Sequence, residues 1–251
     1  MTTFDWILIA MAAVGAVVFV ALYFVEAGYG YLFNRKFGFP IPNKIAWVLM
    51  EAPAFVTMLV WLAQARTGQL AEMVLAGLFL LHYFQRSFVF PLLMRGKSQM
   101  PFWIMFLGMV FNTINASLIG AWLFRVAPEG YYAGWFSQPC FWAGSLLFFA
   151  GMFINLQADY IVRHLRKPGD TRHYIPRGGM VRWVSSANYF GEICEWAGFA
   201  VASWSPAGLL FVWWTFANLA PRSASLYRRY EAEFGDEFRA LKRKRIIPFI
   251  Y

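Results

Sequence analysis

The chain has 251 residues, of which 60% are apolar, 20% aromatic and only 14% charged, with a formal net charge of +9. A water-soluble domain carries about 25% charged residues, so this composition excludes an ordinary soluble fold. Two cysteines, Cys140 and Cys194, lie far apart in apolar segments, which points to packing and excludes a disulfide framework.

In chain order, apolar stretches of about 20 residues, the length that crosses a hydrocarbon core, recur seven times. They fall near 5–25, 45–65, 71–93, 101–123, 138–162, 183–203 and 206–222. The first is not a signal peptide: Asp5 stands where a basic n-region belongs, and the apolar run to Val25 is too long for an h-region. It reads as a retained span. Pro40 and Pro42 break the first connection, Gly68 marks the second, and Pro101 and Pro206 open the fourth and seventh spans. The connections leave no room for a separate soluble domain. The expected fold class is an all-α integral membrane protein with seven transmembrane helices, in one membrane domain over 1–251.

The placement of the 22 Lys and Arg residues orients it. Connections one, three and five hold Arg35, Lys36, Lys44, Arg95, Lys97, Arg163, Arg166, Lys167, Arg172, Arg177 and Arg182. The C-terminal tail adds Arg222, Arg228, Arg229, Arg239, Lys242, Arg243, Lys244 and Arg245, while connections two and four hold only Arg66 and Arg125. By the positive-inside rule the N-terminus is outside and the C-terminus cytoplasmic. The same distribution explains the positive charge without nucleic acid, and the tail cluster Lys242–Arg245 suits anionic lipid head groups. No obligate protein partner is evident.

Ionisable groups inside spans cost roughly 2.5–3.5 kcal/mol each on insertion scales and are functional candidates. Span two carries Glu51 before Pro53, and span three carries His82, Tyr83, Gln85 and Arg86. On span five Asn155, Asp159, Arg163 and Arg166 share one helical face, as do Asn188, Glu192 and Glu195 on span six. Structural ion pairs would explain both stripes. Two facing stripes that lead to a loop with Gly178 and Gly179 read more naturally as the walls of a polar ligand site. No Gly-x-Gly-x-x-Gly follows a strand, so no Rossmann unit is expected. Neither a His-Glu-x-x-His run nor a Cys/His cluster is present, so no metal site is expected.

These residues carry a resemblance. Asn155–Tyr160, the Leu165–Gly169 turn, the Tyr174–Gly179 loop and Ala187–Trp196 are similar, in order, to the C-terminal signature of the steroid 5α-reductase family. The end Arg245-Ile-Ile-Pro-Phe-Ile-Tyr251 resembles the family's terminus, Glu51–Phe55 its Glu-x-Pro-Ala-Phe, and His82–Val89 its His-Tyr-x-x-Arg-x-Phe-Val. The resemblance implies a seven-span enzyme that uses NADPH to saturate the Δ4 double bond of a 3-oxo steroid. It implies that Glu51 and Tyr83 contact the 3-oxo group. It assigns Arg86, Arg95, Lys97, Asn155, Asp159, Arg166, Tyr174, Asn188, Glu192, Arg222 and Tyr230 to the cofactor. On this reading residues 1–135 form the substrate-side helices one to four, and 136–251 the NADPH-binding helices and loops. Met50 and Leu226 depart from polar residues found in animal members, which bears on substrate detail and some cofactor contacts. The short loops suggest a bacterial member in the inner membrane; a eukaryotic one would sit in the endoplasmic reticulum.

The expected chemistry follows. Hydride addition to an unsaturated ketone needs its oxygen stabilised as enolate charge develops, a task for Tyr83 and a protonated Glu51. The steroid would enter from the bilayer and NADPH from the basic cytoplasmic side, its phosphates near Arg166 and Arg222. The same scaffold admits reduction of a trans-2-enoyl thioester. The Glu51 and Tyr83 motifs argue against a membrane methyltransferase, and the missing half-to-half repeat argues against a transporter.

Overall fold

The computed structural model describes residues 1–28, 32–65, 69–95, 97–167, 170 and 172–251. Arg66, Gly68, Pro168 and Gly169, which entered the sequence reading, lie outside the described residues. Among the described residues seven long helices follow in order: α1 Thr3–Phe24, α2 Asn43–Ala63, α3 Leu70–Leu93, α4 Phe102–Val126, α5 Pro139–Arg163, α6 Ala187–Ser203 and α7 Pro206–Arg239. Two short strands, β1 Pro40–Pro42 and β2 Gln99–Pro101, pair antiparallel with Ile41 opposite Met100, clasping the entries to α2 and α4.

Local sequence accounts for the helix starts. A capping box joins Thr2 to Asp5 at α1. Pro139 and Pro206 open α5 and α7 where a missing N–H costs nothing, and the Ser205 hydroxyl accepts from Gly208 N. The first five helices are long and apolar enough to cross a membrane. Their outer faces match: Phe24 on α1 and Leu146 on α5 are 83% and 74% exposed, an apolar surface suited to lipid. The chain is a nearly all-helical, multi-pass membrane protein.

The last two helices differ from the sequence expectation at their ends. α6 has 17 residues and begins at Ala187 rather than near 183. The segment before it pairs with the C-terminal tail instead: Lys244 N donates to Trp183 O, Ser185 N to Lys244 O and Ser186 N to Arg245 O, at 2.9–3.1 Å. α7 does not stop near 222; it continues through Pro221 to Arg239, breaking only at Gly235. Arg222, Arg228 and Arg229 therefore stand on a helix and not in a tail.

α5 and α6 meet backbone to backbone. A Cβ added at Gly144 would strike the backbone of Ala202, at Gly151 that of Glu195, at Gly191 that of Asn155 and at Gly198 that of Phe148. Small residues let membrane helices approach this closely. Around the pair lies an aromatic core in which Trp196 packs on Phe79, Phe199 and Phe211.

Candidate active site

The close approach of α5 and α6 brings their polar stripes face to face, and α3 supplies an opposite charge. A π-helical turn at Gln85–Val89 interrupts α3, a feature frequent at functional sites, and it carries Arg86 inward. Arg86 is buried, with its guanidinium 4.6 Å from the centre of the Trp47 ring and 4.4 Å from that of Phe90. Its Nη1 donates to Asp159 Oδ2 at 3.2 Å, and Nη2 lies 3.9 Å from Glu192 Oε2. Asn188 Nδ2 donates to Asp159 Oδ1 at 3.1 Å, and Asn155 Nδ2 to the Asn188 carbonyl at 3.0 Å. One turn up α3, His82 Nδ1 and Glu195 Oε1 lie 2.8 Å apart, both buried, with the Trp196 ring against the imidazole. Buried carboxylates are tolerated only when paired this way.

A second group adjoins the first. Glu51 on α2 lies within electrostatic reach of Arg86, Glu192 and His82. Its Oε2 accepts from Asn112 Nδ2 at 3.1 Å, and the same nitrogen donates to Met50 O at 2.8 Å. The Tyr83 hydroxyl donates to Asn112 Oδ1 at 3.0 Å. Three helices thus place a carboxyl and a phenol on either side of one amide.

Arg86, Asn155, Asp159, Asn188 and Glu192 therefore form one cluster, and Glu51 and Tyr83 form another beside it. The remaining residues named from the sequence lie elsewhere. Arg95 donates to His164 Nε2 at 3.3 Å on the surface, where Lys97 and Arg166 are also exposed. The Tyr174 hydroxyl donates to Asp170 Oδ2 at 2.5 Å. Arg222 Nη2 donates to Ala27 O at 3.3 Å, beyond the end of α1. Tyr230 stacks on Phe238 with ring centres 5.3 Å apart.

Sequence reasoning missed Asn112. It weighed amides only where they accompany ionisable groups, as Asn155 and Asn188 do, and span four holds no ionisable residue over 101–123. Asn112 and Asn115 stand three apart on one face of α4, and both are buried. That spacing was the available signal.

A buried network of amides, carboxylates and a guanidinium joins α3, α5 and α6 of this nearly all-helical, multi-pass membrane protein, and it is the candidate ligand site. The model of the 3-oxo-5-alpha-steroid 4-dehydrogenase family matches residues 98–251. The chain is 41% identical to 3-oxo-5-alpha-steroid 4-dehydrogenase 1 of Mus musculus over 93% of this chain and 91% of that protein. It is 42% identical to 3-oxo-5-alpha-steroid 4-dehydrogenase 2 of Sus scrofa over 96% and 94%. With a steroid 5-alpha-reductase of Gossypium hirsutum it shares 35% over 100% and 98%. The chain belongs to the 3-oxo-5-alpha-steroid 4-dehydrogenase family and is an oxidoreductase.

Proposed function

We propose that the protein reduces the Δ4 double bond of a 3-oxo-Δ4 steroid to the 5α-3-oxo product with NADPH as reductant. The observation that carries this reading is the convergence of Glu51 and Tyr83 on Asn112 beside the Arg86–Asp159 cluster. Two groups able to donate to one ketone oxygen stand next to a set of amides and carboxylates.

The donor set fits the cofactor's chemistry. Asn155, Asp159, Asn188 and Glu192 offer amide and carboxylate partners for a carboxamide and ribose hydroxyls. Arg95, Lys97, Arg166 and Arg222 offer cations for phosphates, with Tyr174 and Tyr230 near Arg166. When bound, NADPH supplies the hydride that adds at C5. Glu51 in its acid form donates to the 3-oxo group, and Tyr83 joins it by turning its one proton from Asn112 Oδ1 to the ketone, so negative charge that develops on that oxygen meets two donors. Each such donor is worth about 10²–10³ in rate. Tyr83 or water then gives a proton to C4.

In this reading all seven helices cross the membrane, with the N-terminus outside and the C-terminus cytoplasmic. Residues 1–135 face the steroid, which enters from the bilayer, and 136–251 hold the cofactor, which enters from the basic side. The bacterial inner membrane suits the short loops. The test is the purified protein with NADPH and either progesterone or a trans-2-enoyl-CoA, read by mass spectrometry. A gain of two hydrogens on the steroid is expected; a gain on the thioester alone, or on neither, overturns the reading.

A further inference from the structure

Asn112 lies near the middle of α4 with its side chain fully engaged: two bonds from Nδ2 to α2 and one at Oδ1 from α3. Chemistry fixes which way the amide points. The Met50 carbonyl can only accept, so the nitrogen must face α2 and the oxygen must face Tyr83. Two consequences follow for the groups on either side. Glu51 Oε2 is occupied as an acceptor, so an acid proton on Glu51 resides on Oε1, the oxygen that Asn112 does not touch. The Tyr83 hydroxyl, drawn to the other end of the same planar group, is held at a set separation from that carboxyl.

We infer that Asn112 is a positioning residue of the reaction, one amide that leaves the acid proton of Glu51 on its free oxygen and holds the Tyr83 hydroxyl beside it, from where that hydroxyl turns its single proton from Asn112 Oδ1 to the substrate oxygen. The inference rests on the reading above, in which those two groups polarise the 3-oxo group. Its alternative is a structural strut that merely ties α4 to α2 and α3. A strut would couple Asn112 and Tyr83 in stability but would not make their effects on kcat depend on each other.

The experiment is a double-mutant cycle on the full chain in detergent, with Asn112→Leu and Tyr83→Phe alone and together. Loss of a buried hydrogen-bonding partner corresponds to about 10–100-fold, and the fall is expected in kcat, while NADPH is expected to raise the melting temperature of wild type and variant alike. On the Tyr83→Phe background the same substitution should keep only the part of its effect that runs through Glu51, because residues that act as a unit are non-additive. Asn112→Asp guards against misfolding by keeping the shape and the Tyr83 acceptor while removing the donors to α2. Its effect should shrink on a Glu51→Gln background instead. Additive effects, or unchanged kcat in Asn112→Leu, overturn the inference.

A binding measurement separates this inference from the functional reading. Wild type should bind a 3-oxo steroid about tenfold more tightly than its 3-deoxy analogue, and Asn112→Leu should lose that preference. Wild type that prefers the ketone but never reduces it sinks the reductase reading and leaves the positioning role standing. Turnover in wild type with the preference intact in Asn112→Leu sinks the positioning role alone. No preference in wild type sinks the positioning role, and with no turnover it sinks the reductase reading too.

Discussion

α5 and α6 meet through glycines, whereas α1 and α7 meet through tryptophans. In the first pair Gly144, Gly151, Gly191 and Gly198 bring the two backbones into contact. In the second the indoles do the joining: Trp213 Nε1 donates to Ala12 O and Trp214 Nε1 to Met11 O, each at 3.1 Å. The two contacts serve different ends. A glycine contact leaves no side chain to adjust, so it sets the register in which Asn155 and Asp159 face Asn188 and Glu192. Indoles bridge at a distance and anchor α1, which presents most of its other faces outward. Placement of chemistry belongs to the first pair, and attachment to the second.

The largest expected effect tests whether the glycine pair depends on the charge that α3 inserts into it. Arg86→Met keeps length but leaves Asp159 and Glu192 without their cation. Breaking a buried pair costs about 3–5 kcal/mol, which for this chain length is on the order of 10 °C in melting temperature. A melt within a degree or two of wild type would show that the carboxylates need no partner there.

Next come paired substitutions that set the two contacts side by side. Gly151→Ala pushes a methyl into the Glu195 backbone, while Gly15→Ala pushes one toward the Trp213 indole, a side chain that can shift. Overpacking costs about 1–3 kcal/mol, and the full amount is expected only at Gly151, together with a loss of turnover. Equal melting shifts and equal turnover in the two variants would break the comparison. Smaller again is Trp213→Phe, which deletes one hydrogen bond worth about 1 kcal/mol and should leave turnover unchanged.

How far the sequence disclosed this arrangement varies along the chain. Apolar runs bounded by Pro and Gly located the ends of α1 to α5 within three residues, because a membrane span is a composition signal of fixed length. α6 and α7 were harder. The start of α6 is set by hydrogen bonds to a tail some 60 residues away, which no local pattern contains. The cations after Pro221 read as a tail because charge ends an apolar run, yet an amphipathic helix carries them on. The polar stripes were legible from their spacing of three and four. The glycines at spacing seven on both helices were equally visible in the sequence, but only the packed pair shows that they face each other.

The smallest predicted effect concerns the connection between the two glycine-paired helices. There the Asp170 carboxylate accepts from the Arg172 backbone N at 3.0 Å, from Arg172 Nε and Nη2 at 3.2 Å and from the Tyr174 hydroxyl at 2.5 Å. The Arg172 guanidinium first, and Tyr174 second, hold this carboxyl well below the usual carboxylate range. A folded value below the unfolded one means that the contact contributes fully above about pH 4 and weakens as the pH falls below it. Arg172 is largely exposed, so water and salt screen the pair and the effect stays local. Between pH 5 and pH 3, amide hydrogen exchange at Arg172, corrected for its intrinsic rate, should accelerate in wild type. In Asp170→Asn it should already be fast at pH 5 and show little further change. The Gly151-dependent melting behaviour should not follow this titration, since the glycine contact is made by backbone atoms and contains neither Asp170 nor its partners. Identical exchange profiles in wild type and Asp170→Asn would mean that Asp170 does not order the connection, and the comparison would then rest on the helices alone.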